Sequence, residues 1–366
     1  MNRFLKKHTE LVFVIAAFAA MLSFFGCVPI ASHSPEVAVS PSPALPQSEP
    51  QTVEIEISGA KQEPDITAEP LTPIPTDTPS PTPEATPEIT SAPTPSGLLG
   101  GRYDAFLQED GFEKSEHSYV SRNISIQVTR YDSSPLTRHL VYFVTDIHIQ
   151  DVTSIRTESW DGNFGVRGEK LWTPFLKMAR RVNAIVAING DYYTYNIHTG
   201  LVIRNGERYQ PDPWKPWSGH EILLLYRDGS METFRSDSFD LSSIDLDTVW
   251  QAWEFGPSLL NENGTALSSF DKSYSDINRQ NPRTVLGYYE PGHYCFVTID
   301  GRKSGYSNGL TLHEAAQLME SLGCKIAFNI DGGQTTQLYW NDKMYNVPYE
   351  GGRFTSDIIY IVEPES

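Results

Sequence analysis

Residues 311–333 read TLHEAAQLMESLGCKIAFNIDGG and contain a complete helix-to-strand unit. Thr311, followed three residues later by Glu314, forms a capping box, and Gly323 marks the end of the predicted helix. The apolar run after it predicts a buried strand that stops at the polar residues 331–333. Because glycines let a ligand approach the backbone closely, this strand end is a candidate binding corner.

A second stretch has the same layout. Residues 173–190 read TPFLKMARRVNAIVAING, in which Thr173 is the predicted N-cap and Pro174 the first helical residue. The following apolar strand ends at Asn189 and Gly190. We infer that the two units form two corners of a functional site.

Strand-like runs are more frequent than helical patterns in the remaining sequence. They are NISIQVTRY, HLVYFVTDIHI, EILLLYRDG, YCFVTIDG, TQLYW and DIIYIVE. The pattern predicts an α+β domain with mixed sheets and a few packed helices over residues 98–366, which is about the length of one large domain.

The N-terminal segment, residues 1–28, is predicted to be a signal peptide or membrane anchor. Basic residues precede a long uncharged apolar run, long enough to span a bilayer if it is not cleaved. The alternative to a signal-anchor is a lipoprotein signal with Cys27 lipidated. Both interpretations place the remainder at the extracellular face of the membrane, tethered to it.

Residues 29–97 are rich in Pro, Thr, Ser and Glu, with hardly an aromatic residue. Such a segment buries too little apolar surface to offset the entropy of ordering, so it is predicted to be a disordered, extended tether. Its acidic residues carry about half of the net charge of −18. The rest of the chain has no stripe of lysine or arginine, which argues against nucleic acid as the main partner.

Cysteine usage leaves two alternatives. Cys295 lies in an apolar strand and Cys324 just after the predicted helix, and we interpret both as buried thiols, with one disulfide as the alternative.

The sequence leaves the metal requirement open. It has no HExxH or CxxC cluster, no P-loop and no GxSxG elbow. The acid pairs Asp271/Asp276 and Asp245/Asp247 could bind a divalent cation such as calcium, although they lack the full loop spacing.

At the DGG corner, Asp331 is either a catalytic or binding carboxylate or a turn former. Thr335 and Thr336 offer hydroxyls beside the flexible backbone of Gly332 and Gly333, or are simply β-branched strand residues.

The other corner presents Asn189 with Asp191. Two arginines near strand ends, Arg283 and Arg302, are candidate anion ligands, with an unseen ion pair as the alternative for Arg283.

Five segments, in this order, resemble the phosphodiester glycosidase family over roughly residues 122–363. They are AINGDYYTYNIHTGLVIRNGE, FGPSLLNENG, NPRTVLGYYEPGHYCFVTIDGR, SNGLTLHEAAQLMESLGCKIAFNIDGGQTTQLYWND and GGRFTSDIIYIVE. The resemblance implies hydrolysis of a glycosyl phosphodiester between sugar C1 and phosphate, of the N-acetylglucosamine-1-phosphodiester kind. The implied partner is a phosphodiester-linked carbohydrate of the envelope or an exopolysaccharide.

The resemblance also implies roles for the candidate residues. A carboxylate must stabilise or trap the oxocarbenium-like centre or activate water, and Asp331 is the first choice, with Glu314 second. Cationic side chains must clamp the phosphate, and Arg283, Arg302 and Arg353 stand at motif positions. The groups that would bind sugar or phosphate oxygens are Asn189, Asp191, Gly332, Gly333, Thr335 and Thr336.

Two departures from the family pattern bear on the substrate. The family's Gly-Gly-Phe-Phe reads Gly190-Asp191-Tyr192-Tyr193, which adds a carboxylate that could alter sugar choice or supply a metal ligand. Gln334 fills a position that the family often leaves to a small residue. The competing interpretations are a glycan-binding module without turnover and a metal-assisted phosphodiesterase that breaks P–O instead of C–O.

Overall fold

The computed structural model describes residues 97–99, 105–107, 109–133, 139–159, 164, 174–191, 200–209, 219–271 and 279–365. The predicted export segment and nearly all of the predicted tether lie outside these residues. Within the described part of the chain, no helix is long and apolar enough to cross a membrane.

The described elements are mostly strands. In chain order they are β1 (Phe112–Lys114), β2 (Ser118–Ser121), β3 (Ile124–Ser133), β4 (Leu140–Ile149), β5 (Ile155–Ser159), α1 (Phe175–Arg181), β6 (Val186–Asn189), β7 (Ile203–Arg204), β8 (Glu207–Arg208), β9 (Glu221–Tyr226), β10 (Met231–Arg235), β11 (Val249–Phe255), β12 (Arg283–Glu290), β13 (His293–Ile299), α2 (Leu312–Ser321), β14 (Ile326–Ile330), β15 (Leu338–Trp340), β16 (Lys343–Met344) and β17 (Asp357–Ile361). Short 3₁₀ turns lie at Val152–Ser154, Ser236–Ser238, Leu241–Ser243, Leu246–Thr248, Gly333–Thr335 and Tyr349–Gly351.

The strands form three sheets. Sheet I has the order β1-β2-β3-β4-β13-β12-β14, sheet II β10-β9-β11-β7-β8, and sheet III β16-β15-β6-β17-β5. The predicted α+β class is confirmed. Mixed sheets were expected, but the described strand pairs are all antiparallel, which fits the many short runs joined by turns.

One large apolar core is shared by the three sheets. Sheet I contributes residues such as Phe296 and Phe328, sheet II Trp253, and sheet III Ile188 and Trp340, all buried in the same cluster. Successive side chains of a strand point to opposite faces, so every strand in this core has a second face to cover.

Each of the two helices covers a sheet face that points away from the shared core. Helix α2 packs Leu312, Ala316 and Met319 against Val285 and Cys295 of sheet I. Helix α1 buries its apolar residues against sheet III, in a cluster that contains Phe175, Met178, Ala187, Ile358 and Tyr360. Both predicted helix-to-strand units are therefore present.

Local sequence explains how the helices begin. Thr311 accepts from the Glu314 N–H and the Glu314 side chain accepts from the Thr311 N–H, so the predicted capping box is present. Helix α1 begins at Phe175, one residue later than predicted, because Pro174 takes the cap position with an extended ψ of 123°. Thr173, the predicted N-cap, lies outside the described residues.

Both cysteines of the domain are free and buried, with their Sγ atoms 3.8 Å apart. The interpretation as thiols is confirmed in this structure. Gly287 faces them, and a β-carbon there would lie 2.5 Å from the Cys295 sulfur, so the strand needs glycine at this point.

Candidate active site

The two predicted corners meet where sheets I and III approach each other. Asn189, the last residue of β6, donates its Nδ2 to the Asp331 carbonyl at 2.7 Å. The Asn189 Oδ1 accepts from the Thr284 hydroxyl of β12 at 2.8 Å and from the Gln337 N–H at 3.4 Å. One buried amide side chain thus joins the ends of β6 and β14.

The Asp331 carboxylate is held on both oxygens. Its Oδ1 accepts from the Gly332 N–H at 2.9 Å, and its Oδ2 accepts from Arg353 Nη2 at 2.8 Å. Arg353 Nε also donates to the Thr335 hydroxyl. The side chain of Asp331 is 11% exposed and that of Arg353 32% exposed, so the pair opens to solvent on the arginine side.

Burial raises the pKa of Asp331 above the ordinary value. The positive charge of Arg353 and the hydrogen bonds from Thr335, Arg353 and Gly332 act in the opposite direction, since they stabilise the ionised form. The result is an oriented, poorly solvated carboxyl group beside a cation.

The glycines after Asp331 let the chain lie against β12. A β-carbon at Gly332 would lie 2.9 Å from the Pro282 carbonyl oxygen. Gly333 has φ +66° and donates its N–H to the same carbonyl at 2.9 Å. This positive φ and this close approach both favour glycine over any larger residue.

Arg302 brings a second, exposed guanidinium to the turn. Its Nη1 is 3.3 Å from the position of a β-carbon on Gly333, and its Nε donates to Asn281 Oδ1 at 2.8 Å. The guanidinium lies 5.5 Å from the centroid of the Tyr349 ring. Cationic side chains therefore stand on both sides of the turn that follows β14.

The two threonines are buried. The Thr335 hydroxyl accepts from Arg353 Nε, and the Thr335 carbonyl accepts from Gln337 Nε2 at 3.2 Å. Among the described residues, the Thr336 hydroxyl has no hydrogen-bond partner, although the residue is fully buried.

Two predicted catalytic residues are placed differently. Arg283 is buried and donates to the carbonyls of Leu310, at 2.7 Å, and Arg279, at 3.2 Å. The Arg283 side chain projects from the face of β12 opposite to that of Thr284, the residue that contacts Asn189. These contacts anchor two loop segments, and the role of Arg283 as an anion clamp stays a prediction.

Glu314 lies in the first turn of α2. Its Oε2 accepts from both the N–H and the hydroxyl of Thr311, at 2.8 and 2.9 Å. These contacts are those of a helix-capping residue. The carboxylate predicted as the second catalytic candidate therefore accepts hydrogen bonds at the start of α2.

A buried ionic cluster lies directly behind the Asn189 corner. Arg204 of β7 is fully buried, and its Nη2 lies 2.9 Å from each oxygen of Asp191 and 3.4 Å from Asp357 Oδ2. Sequence reasoning expected Asp191 to face the substrate or a metal. In the structure both Asp191 oxygens accept from Arg204, and a contact of Asp191 with a substrate or metal stays a prediction.

Asp357 was missed by the sequence reasoning. It begins β17 and is fully buried, and a β-carbon at Gly190 would lie 2.0 Å from its Oδ1. Burial, together with the negative charge of Asp191, raises the pKa of Asp357 to about 8, and Asp331 adds a smaller contribution in the same direction. This shift favours the protonated form of Asp357 at neutral pH.

Arg204 and Asp357 both lie inside segments that the sequence singled out, LVIRNGE and FTSDIIYIVE. The available signal was a single charged residue in an otherwise apolar strand, which must be paired when it is buried. A charged residue of this kind is predicted to be buried and paired. Its partner, however, is identified only by the fold.

The predicted calcium pairs do not gather around Asp331. Asp245 caps a 3₁₀ turn by accepting from the Asp247 N–H at 3.1 Å, and Asp271 lies 3.4 Å from Arg235. Asp276 lies outside the described residues. Within the described part of the chain, the side chains grouped closely enough to hold a cation are Asp146, His148 and His293.

Comparison with known proteins supports the resemblance. Residues 182–362 match the model of the phosphodiester glycosidase family. An uncharacterized prophage-derived protein of Bacillus subtilis, YomE, is 28% identical over 192 residues, which are 52% of this chain and 30% of that protein. The chain thus spans about a third of that relative.

Two solved structures are also similar. The catalytic domain of zebrafish N-acetylglucosamine-1-phosphodiester alpha-N-acetylglucosaminidase, auto-inhibited by its pro-peptide, aligns with TM-score 0.53 and 16% identity, over 70% of this chain and 87% of that one. A hypothetical protein from Synechocystis aligns with TM-score 0.43 and 14% identity, over 69% of this chain and 64% of that one. The zebrafish structure shows that the fold is shared.

Proposed function

We propose that this chain, which resembles the phosphodiester glycosidase family and matches its model over residues 182–362, hydrolyses a glycosyl phosphodiester between sugar C1 and the phosphate oxygen. The observation that carries the proposal is the buried Asp331 carboxyl group, fixed by Gly332 and Arg353 at the end of β14. Both the family match and the fold support a hydrolase-type function.

Cleavage of the bond between sugar C1 and the phosphate oxygen needs little general-acid catalysis. A phosphate monoester is a good leaving group, so the bond to C1 breaks with positive charge developing on the sugar and negative charge on the phosphate. Asp331 is the carboxylate that would stabilise or trap the sugar cation. Arg353 and Arg302 flank the same turn and would bind the phosphate oxygens, where charge-assisted hydrogen bonds are strongest in the transition state.

Asn189 and Asp357 act as positioning residues in this scheme. Asn189 fixes the Asp331 backbone through its carbonyl. Asp357, protonated at neutral pH, keeps a second full negative charge away from Asp331 while still accepting hydrogen bonds from Ser356 and Arg204. The site would thus concentrate one reactive carboxylate beside two accessible cations.

The proposed substrate class is the one named for the zebrafish enzyme, an N-acetylglucosamine-1-phosphodiester. We extend this to phosphodiester-linked glycans of a cell envelope or exopolysaccharide, reached at the extracellular face of a membrane. That extension rests on the basic, apolar segment at residues 1–28 and on the extended composition of residues 29–97.

The test is release of N-acetylglucosamine from a synthetic N-acetylglucosamine-α-1-phosphodiester by the purified protein. Asp331→Asn keeps the shape of the side chain and should reduce kcat/KM by about 10³-fold or more. Asp110→Asn, at an aspartate side chain that is 94% exposed, is the matched control and should retain full activity.

The bond that breaks is identified by hydrolysis in ¹⁸O-labelled water. Label in the sugar supports C–O cleavage, whereas label in the phosphate means P–O cleavage and contradicts the glycosidase. If the folded protein turns over neither this compound nor a panel of other sugar phosphodiesters, the proposal fails and glycan binding without turnover takes its place.

A further inference from the structure

A cluster of polar side chains lies on the face of sheet I that helix α2 covers elsewhere. Asp146 and His148 are alternate residues of β4, and His293 begins the neighbouring strand β13. His293 pairs directly with His148 in the strand register, while Asp146 pairs with Cys295. The three side chains therefore project from the same face of two hydrogen-bonded strands.

The donor atoms of the three side chains converge. One ligand atom from each residue lies within 4.8 Å of the other two. His293 Nε2 is 2.7 Å from Asp146 Oδ1, and His148 Nδ1 is 3.7 Å from Asp146 Oδ2. The side chains are 12%, 24% and 41% exposed for His148, His293 and Asp146, so the group is half-sheltered yet open to solvent.

A hydrogen-bonded aspartate–histidine pair explains only part of this arrangement. It accounts for the contact between Asp146 and His293, and the His148 ring stacks on His293 with centroids 3.9 Å apart. Tyr289 stacks on His293 at 4.1 Å. The imidazoles are thus held in place by packing, with two ring nitrogens directed at one carboxylate.

We propose that Asp146, His148 and His293 form a binding site for a divalent transition-metal cation of the zinc class. Two imidazole nitrogens and one carboxylate oxygen are a common set of protein ligands for zinc, and nitrogen ligands select such metals over calcium or magnesium. Ligand atoms of a tetrahedral zinc site lie about 3.3 Å apart, between the two distances observed here. The fourth position would be open to water.

The metal site is separate from the candidate active site. His293 begins β13, whereas Thr298 near its other end pairs with Thr284, the partner of Asn189. Five residues of extended strand separate the two ends, about 17 Å. The cation would therefore form a structural site that links β4 to β13, without contacting the reacting groups.

The experiment uses the purified protein without a histidine tag, stripped with a chelator and then titrated with zinc chloride by calorimetry. We expect one equivalent to bind and the melting temperature to rise, because the metal binds the folded state. His148→Gln and His293→Gln should each weaken binding by at least about tenfold, and the double variant should lose it. His117→Gln, at an exposed histidine between β1 and β2, is the matched control.

A second measurement does not depend on the variants. Cobalt(II) bound by two imidazoles and a carboxylate in a four-coordinate site gives intense visible absorption, which zinc should displace and calcium should not. The proposal is overturned if the folded protein binds no zinc, or if the double variant, with an unchanged circular dichroism spectrum, binds it as tightly as the parent. Weak cobalt absorption typical of six-coordinate oxygen ligation would equally exclude it.

Discussion

Replacing Asp357 by Asn tests the buried ionic cluster behind the active site. The side chain is fully buried between Gly190 and Arg204, and burial beside Asp191 raises its pKa from 3.8 to about 8. The asparagine side chain has nearly the same shape, its one oxygen can keep the contact with Arg204, and its NH2 group can donate to the Ser356 hydroxyl. The substitution therefore removes a titration while keeping the packing.

The sign and size of the effect follow from linkage. Below about pH 4, Asp357 is protonated in both the folded and the unfolded protein, and its contribution to stability is fully present. Between about pH 4 and pH 8 the unfolded chain loses this proton while the folded protein keeps it, so the parent loses about 1.4 kcal/mol of stability per pH unit. The accumulated loss at pH 7 is on the order of 4 kcal/mol.

Asp357→Asn has no such proton to lose. We expect its free energy of unfolding, relative to the parent, to rise with pH between 4 and 8 and to level off above pH 8. Urea unfolding at half-unit pH steps measures this difference directly, and other titrating groups cancel because they are common to both proteins. Asp110→Asn controls for the loss of an exposed carboxylate.

A difference that stays constant across this range would refute the reasoning, because it would mean that Asp357 is ionised in the folded protein. Below about pH 4, a difference that falls as the pH rises would be a stronger contradiction. It would show that the folded-state pKa of Asp357 lies below the ordinary value, because Arg204 stabilises the ionised form by more than burial and Asp191 destabilise it.

Two further substitutions test the site at the level of single contacts. Arg353→Lys keeps the positive charge but loses the guanidinium group that donates to both Asp331 and the Thr335 hydroxyl. We expect kcat/KM to fall by about 10²-fold. An unchanged kcat/KM would exclude Arg353 from phosphate binding. Gly190→Ala places a methyl group 2.0 Å from Asp357 Oδ1 and should lower the free energy of unfolding by about 3 kcal/mol. Gly305→Ala, with φ +75° and no atom within 4 Å of the new β-carbon, should lower it by only about 1 kcal/mol, and equal losses would rule out the clash.

Local patterns in the sequence predicted the parts of the fold that depend on neighbouring residues. The capping box of Thr311 and Glu314 forms because both partners lie in one turn. The apolar runs before Asn189 and Asp331 become buried strands for the same reason, since burial is visible in composition. Because both strands end in polar residues at the same boundary of the core, the meeting of the two corners could also be predicted.

The roles of the arginines could not be predicted this way. Arg204 and Arg283 are both buried strand residues, yet Arg204 pairs with two aspartates and Arg283 donates to backbone carbonyls. What decides between these outcomes is which residues the fold places opposite, and these are up to 153 positions away. Spacing along the chain contains no information about such partners.

The charges of the site are arranged in two layers with different tasks. In the inner layer Arg204, Asp191 and the protonated Asp357 are fully buried, so their charges are balanced internally and cannot serve a ligand. In the outer layer Arg353 is partly exposed beside Asp331, and Arg302 lies next to Gly333. An incoming phosphodiester would contact the more exposed guanidinium groups before the Asp331 carboxylate, which suits the proposed cleavage between sugar and phosphate.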